Sequence, residues 1–255
     1  MFKKQKIFQY SSKYGIKEIT SLVAGEEQVT IFLNNQEIVA LLCSPIHLNE
    51  LAVGFLTLEG LICQDNKYLE IEISRDKKQV YVFADQVVDL DKRWHKKTIT
   101  SGCGMGTSFT DFQKINLQLN KNNSKITFNQ ITLAMKEFQK HSLVENGTGG
   151  VHSAGIHSDD EIIIRKDVGR HNAVDKIFGH CILSSIETTN KMLLLTGRIS
   201  SEIIFKGAKM GIPIVASLSS ATSLAIEMAE QLGITILGYV KGERAYVYSH
   251  PDKIK

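Results

Sequence analysis

Met192-Leu193-Leu194-Leu195-Thr196-Gly197-Arg198-Ile199-Ser200-Ser201 combines an apolar run, a turn carrying glycine and arginine, and a serine pair opening a helix. So short an apolar run, bounded by turn residues, reads as a strand buried on both faces, since a helix needs more length. The same unit recurs downstream: helices are predicted over 202–210 and 224–232, strands over 212–217 and 234–240, and an edge strand over 245–248. Upstream lie strands over 151–158 and 161–167 and a helix over 173–183. Val174, Ile177, Phe178, Cys181 and Ile182 fall on one face of that helix, which places Cys181 in the core. This alternation predicts a layered α/β domain with a largely parallel sheet.

Toward the amino terminus the texture changes. A hairpin is predicted over 27–42, turning at Asn34-Asn35, because asparagine tolerates the left-handed conformation. Ser44-Pro45 ends it. Leu48, Leu51, Ala52, Phe55 and Leu56 then repeat at helical spacing, with Gly60 as terminator. A second strand pair over 68–74 and 79–84 turns through Arg75-Asp76-Lys77-Lys78, and a later helix over 131–141 has Asn129 as its expected cap. The expected organisation is a small α+β domain over 1–97 followed by the α/β domain over 98–255.

Composition narrows the class. Of 255 residues 43% are hydrophobic and 22% charged, as in ordinary globular proteins, and a net charge of +3 points to no nucleic-acid partner. No apolar run reaches the length of a membrane span, and no apolar leader follows the amino-terminal lysines, so a cytoplasmic protein without a membrane partner is expected. The cysteines at 43, 63, 103 and 181 show no C-x-x-C spacing and should be reduced thiols; no metal site is expected, because His and Cys do not cluster at ligand spacing.

Three strand-to-helix junctions share one chemistry. Gly169-Arg170-His171-Asn172, Gly197-Arg198 with Ser200, and Ser219-Ser220 set small, hydroxyl or guanidinium groups at helix starts, and Gly238-Tyr239-Val240-Lys241-Gly242-Glu243-Arg244 adds cations near the last strand. Simple helix capping accounts for such residues one at a time. Three of them on one sheet edge fit a polyanion site, since unpaired N–H groups and helix dipoles favour anions there. His152, in a Gly-rich turn, is a candidate acid or base or else a hydrogen-bonded strand residue.

Thr100-Ser101-Gly102-Cys103-Gly104-Met105-Gly106-Thr107 places a cysteine among alternating glycines. Such a loop either presents a thiolate or makes a tight turn around an inert thiol. The preceding Lys92-Arg93-Trp94-His95-Lys96-Lys97 would favour the thiolate if it lay nearby.

The stretches from Ser44-Pro45 to Glu59-Gly60, Ser101–Gly104, Gly150–Gly155, Asp167–Lys176 and Thr196–Arg198, with Tyr239–Gly242 and Tyr248–Pro251, resemble the formate dehydrogenase accessory sulfurtransferase family (FdhD/NarQ). The resemblance implies a cytidine-deaminase-like α/β fold without the deaminase zinc, preceded by the small domain. It implies a sulfurtransferase that takes sulfur from a cysteine desulfurase as a Cys103 persulfide. The sulfur passes to bis-molybdopterin guanine dinucleotide, bound as substrate and mimicked by guanine nucleotides, on behalf of the formate dehydrogenase catalytic subunit. A homodimer is also implied. The family's second loop cysteine falls on Gly106 here, which removes any relay between neighbouring cysteines and keeps alive the alternative of a cofactor-insertion chaperone without sulfur transfer.

Overall fold

The computed structural model describes residues 1–66, 68–87, 126–142, 149–158 and 161–255. The expected domain boundary at 97/98, the basic cluster and the Cys103 loop lie outside these residues.

A hairpin comes first, β1 (Phe2–Ser11) and β2 (Gly15–Ala24), which among the described residues pair only with each other. Next, β3 (Glu27–Leu33), β4 (Gln36–Cys43), β5 (Leu69–Ile73) and β6 (Gln79–Ala84) form a sheet of order β4-β3-β6-β5. Asn34 and Asn35 make its tight turn with φ of 46° and 68°. Helix α1 (Leu48–Leu58) covers one face with Leu48, Leu51, Ala52, Phe55 and Leu56, and Gly60 with φ 72° follows its last turn.

The larger unit is a six-stranded sheet of order β12-β11-β10-β9-β7-β8, built from β7 (His152–Ser158), β8 (Glu161–Asp167), β9 (Met192–Leu195), β10 (Ile214–Ser217), β11 (Thr235–Lys241) and β12 (Arg244–Ser249). It corrects the expectation of a largely parallel sheet. Only β9, β10 and β11 run parallel, whereas β7, β8 and β12 join antiparallel. The connections explain this. β8 begins three residues after β7 ends and β12 three after β11, spacings too short for the crossover that a parallel pair needs.

Helices α3 (Arg170–Leu183), α4 (Ser201–Lys209) and α5 (Ser223–Leu232) bury one face of the sheet through Val174, Ile177, Phe178, Ile203, Ile204 and Ala229. Helix α2 (Phe128–Ser142) covers the other through Ile131, Met135 and Phe138 against Leu194, Ala216 and Leu237. Asn129 is not its cap. Thr127 and Gln130 form a reciprocal capping box: Gln130 N donates to Thr127 Oγ1 at 3.2 Å, and Thr127 N donates to Gln130 Oε1 at 2.9 Å.

The two units meet along α1 and α3, whose backbones touch. A Cβ on Gly54 would lie 1.8 Å from the Asp175 carbonyl oxygen, and one on Gly179 would lie 1.8 Å from that of Glu50. No other residue fits at either crossing point. Buried ion pairs seal the seam. Lys176 Nζ reaches Asp167 Oδ2 at 2.5 Å and the Ser44 carbonyl at 2.9 Å, and neither partner of the ion pair has exposed side-chain surface. Glu50 accepts two bonds from Arg165, at 2.5 and 2.7 Å, and lies 3.0 Å from His180 Nδ1. Burial raises the Glu50 pKa, but the Arg165 hydrogen bonds and charge prevail and leave it below the usual range.

Candidate functional site

Strand registers fix one edge of the large sheet. His152 pairs with Asp167 and Ala154 with Leu195, so the start of β7 lies beside the ends of β8 and β9, and the parallel β10 and β11 end on the same side. All three predicted junctions and the β11–β12 turn therefore share this edge. Four strand spacings separate β8 from β11, which makes the edge about 19 Å long.

At the β8–α3 junction the side chains divide. Asp167 Oδ1 accepts from Gly169 N at 2.8 Å and from Asn172 Nδ2 at 3.1 Å, and that amide also donates to the Leu42 carbonyl at 2.9 Å. Asn172, a predicted binding residue, thus ties the junction to β4. Arg170 stays at the edge. Its Nε is buried and has no hydrogen-bond partner among the described residues. Beside it sit His152 and Gly197: a Cβ on Gly197 would lie 3.0 Å from His152 Nδ1 and 3.5 Å from the Arg170 Cβ. Glycine at 197 lets these two side chains occupy the end of β9. Burial, reinforced by the Arg170 cation, lowers the His152 pKa, so the ring is neutral near pH 7.

His171 leans toward α4. Its Nε2 lies 2.8 Å from Glu202 Oε2 and 3.3 Å from Ser200 Oγ. Serine and carboxylate thus meet the same ring nitrogen, which differs from the base-and-orienter arrangement of a hydrolytic triad, where they occupy opposite nitrogens. Burial lowers the His171 pKa despite the Glu202 hydrogen bond. Arg198 is exposed.

The β10–α5 loop is cross-tied to its neighbours. Ile199 N donates to the Ser220 carbonyl at 2.9 Å, Tyr239 N to the Ser219 carbonyl at 3.0 Å, and Ser217 Oγ to the Gly197 carbonyl at 2.6 Å. Gly238 must be glycine, because a Cβ there would lie 2.8 Å from the Ser219 carbonyl oxygen and 2.6 Å from the Tyr248 ring. Tyr239 adopts φ 51° and is half exposed, with its ring edge-on to Tyr246 at 5.7 Å. Tyr239, Lys241, Glu243, Arg244, Tyr246 and Phe128 line an open groove of about 680 Å³ at this end of the edge. Val240 is different. It is buried in the α2-facing core, and Gly242, with φ 58°, serves the hairpin turn.

Among the described residues no group of three or more His, Cys, Asp or Glu could hold a metal ion. Cys43 and Cys181 are buried, and burial pushes their thiols up to about 12 and about 11, so neither is a thiolate at neutral pH. Cys63 is partly exposed. Cys103 lies outside the described residues.

The residues that sequence reasoning missed are those of the seam: Ser44, Glu50, Gly54, Arg165, Lys176, Gly179 and His180. One signal was available. Asp175 and Lys176 place two charges among the apolar positions of α3, and a helix with charge on its core side needs buried partners.

The chain matches a model of the FdhD/NarQ family over residues 24–255. It belongs to that family. Among similar proteins is the sulfur carrier protein FdhD of Listeria innocua, 41% identical over 93% of each chain. That of Bacillus pumilus is 38% identical over 99% of this chain and 97% of its own. A crystal structure of a formate dehydrogenase accessory protein from Desulfotalea psychrophila superposes with a TM-score of 0.78 at 26% identity, covering 100% of this chain and 99% of its own. The mixed α/β architecture is thus that of a family member. No described helix is long and apolar enough to cross a membrane.

Proposed function

We propose that this FdhD/NarQ chain is a sulfurtransferase that carries sulfur on Cys103 during formate dehydrogenase maturation. The observation that carries the reading is the identity of 41% over 93% of each chain to a protein named sulfur carrier protein FdhD. In the first step the Cys103 thiolate attacks the terminal sulfur of a desulfurase cysteine persulfide. A new S–S bond forms at Cys103, the desulfurase S–S bond breaks, and the desulfurase leaves as its thiolate. Cys103 then hands this sulfur to bis-molybdopterin guanine dinucleotide, the substrate. An acceptor-side thiolate attacks the outer sulfur of the Cys103 persulfide, a new S–S bond forms there, the S–S bond at Cys103 breaks and Cys103 leaves as its thiolate. A second thiol then attacks the inner sulfur of the acceptor persulfide, which releases the outer sulfur at the sulfide level and leaves the two thiols as a disulfide.

The sheet edge is the proposed seat of that substrate. Arg170, Arg198, Lys241 and Arg244 would meet phosphates, Ser200, Ser219 and Ser220 would offer hydroxyls, and the aromatic groove at Tyr239 would take a base by stacking. An edge about 19 Å long suits an extended dinucleotide. The cytidine-deaminase-like layering, a cytoplasmic setting, and partnership with a desulfurase and the dehydrogenase belong to the same proposal. Gly106 favours a second reading, an insertion chaperone without sulfur transfer, because it leaves one cysteine in the loop. Intact-mass analysis after incubation with a cysteine desulfurase and cysteine separates the two. A sulfur adduct lost in Cys103→Ser supports the carrier, and an unmodified wild-type chain refutes it.

A further inference from the structure

His152 stands at the sheet edge with no part yet in the chemistry. Its backbone is clamped. It pairs in register with Asp167, while Ser153 N donates to Thr196 Oγ1 at 2.9 Å and Thr196 N donates to the Ser153 carbonyl at 3.1 Å. Its ring is held by packing alone. Among the described residues no hydrogen bond or ion pair engages either ring nitrogen.

The other part-buried histidines of the described chain are all engaged. His171 meets Glu202 and Ser200, His180 meets Glu50 and Arg165, His157 lies beside Glu137, and His250 meets the Ala229 carbonyl. A histidine kept for structure is fixed by such bonds. The hydrogen-bonded strand residue that the sequence allowed is therefore not what the fold builds at 152, which leaves the acid or base.

The surroundings choose between these two. The ring lies over the bare Gly197 at the end of β9, where a Cβ would come 3.0 Å from Nδ1, and Arg170 is alongside. The charged groups facing it are Arg170 from α3 and Asp167 from β8, and β9 ends on the uncharged Leu195-Thr196-Gly197. Burial and then Arg170 favour the neutral ring, and Asp167 opposes them without prevailing. A neutral imidazole with an open lone pair accepts a proton.

We propose that His152 is the general base of the sulfur hand-off, accepting the proton of the acceptor-side thiol and so generating the thiolate that attacks the Cys103 persulfide. The role rests on the sulfur-carrier reading above. A free thiol with pKa near about 8.5 is only a few per cent thiolate at pH 7, so a base at the acceptor site removes a real barrier. The S–H proton passes to the imidazole as the sulfur electron pair forms the new S–S bond. The S–S bond at Cys103 breaks and its electron pair leaves on the Cys103 thiolate, so the acceptor sulfur is oxidised as Cys103 is reduced. The imidazolium, beside the Arg170 cation, is acidic enough to return the proton to water.

A single-turnover release assay tests it. The chain is loaded by a cysteine desulfurase with radiolabelled cysteine, freed of both, and chased with dithiothreitol as the acceptor dithiol, with labelled sulfide as the readout. The wild-type release rate should be nearly constant between pH 7 and 8. His152→Ala and His152→Gln should load as fully as wild type but release about a hundredfold more slowly at pH 7. Their rates should rise about tenfold from pH 7 to 8, following the thiolate fraction of the probe. Added imidazole should accelerate His152→Ala and leave wild type unchanged. A wild-type chain that takes up no label would overturn the sulfur-carrier reading and this role with it. Variants that load and then release at the wild-type rate and pH dependence would overturn the role of His152 alone. So would slow variants with a wild-type pH dependence, a lowered melting temperature and no response to imidazole, which would make His152 a structural residue.

Discussion

The seam between α1 and α3 and the carboxyl edge of the large sheet share the ten residues 167–176, and they treat polar groups in opposite ways. In the seam every buried charge named here is paired: Asp167 with Lys176, Glu50 with Arg165, and Asp175 with Lys206. At the edge Arg170 has a buried Nε without a partner, Arg198 is exposed, and His152 is held neutral beside a cation. Fully paired burial fixes geometry. An unpaired buried donor costs stability and persists where something else uses it. The decapeptide therefore divides its labour, with Asp167, Asn172 and Lys176 facing the seam and Gly169, Arg170 and His171 facing the edge.

The comparison is broken most drastically at the seam. Gly179→Val sets side-chain atoms into the Glu50 backbone, where even a Cβ would be 1.8 Å from the carbonyl oxygen. Loss of soluble folded protein is the expected outcome, read by expression and circular dichroism, and a well-folded variant would show that the helices are not in contact. Next comes Lys176→Met, which leaves the buried Asp167 carboxylate without its counter-charge, held by neutral donors alone, and should cost about 3–5 kcal/mol by denaturant unfolding. Adding Asp167→Asn should recover part of that loss, because the uncompensated charge, more than the lost attraction, carries the penalty.

At the edge the sign differs. Arg170→Leu removes an unsatisfied buried donor, so stability should stay within about 1 kcal/mol of wild type or rise. A drop as large as that of Lys176→Met would place Arg170 in the seam class. The smallest expected effect concerns pH. His152 and His171 have lowered folded pKa values, so the unfolded chain takes up protons first as pH falls below the ordinary histidine value of 6.5. Stability is then full above that value and declines below it. Asp175, raised from 3.8 to about 6 by burial, opposes this, since its folded form binds the proton first once pH drops below about 6. The melting temperature should fall as pH drops toward 6 and then level off, and His171→Gln should flatten the fall. A melting temperature that rises as pH falls toward 6 would contradict the assignment.

Much of the edge was legible in sequence, because short apolar runs, glycines and hydroxyls at fixed positions write strand-to-helix junctions locally. The seam was not. That Gly54 meets Asp175 and that Lys176 reaches Ser44 are facts of tertiary packing between residues more than a hundred positions apart, and no local period encodes them. The amino-terminal strands escaped notice for another reason. Lysines at 3, 4 and 6 interrupt the alternation that marks a half-buried strand, and residues 3–10 and 15–18 of this hairpin are exposed. The expectation of a largely parallel sheet counted strands without weighing that β8 begins three residues after β7 ends, and β12 three after β11, too close for a crossover.

The claim that the edge holds a nucleotide-bearing polyanion while the seam holds the fold is tested most directly by titration calorimetry. Guanosine diphosphate is titrated into the wild-type chain and into Arg170→Leu at low and high ionic strength, with the melting temperature of each recorded alongside. The account predicts binding by wild type that weakens with salt, and at least about tenfold weaker binding by Arg170→Leu at an unchanged or higher melting temperature. No binding by the wild-type chain at either ionic strength, or equal binding by both chains, would contradict it.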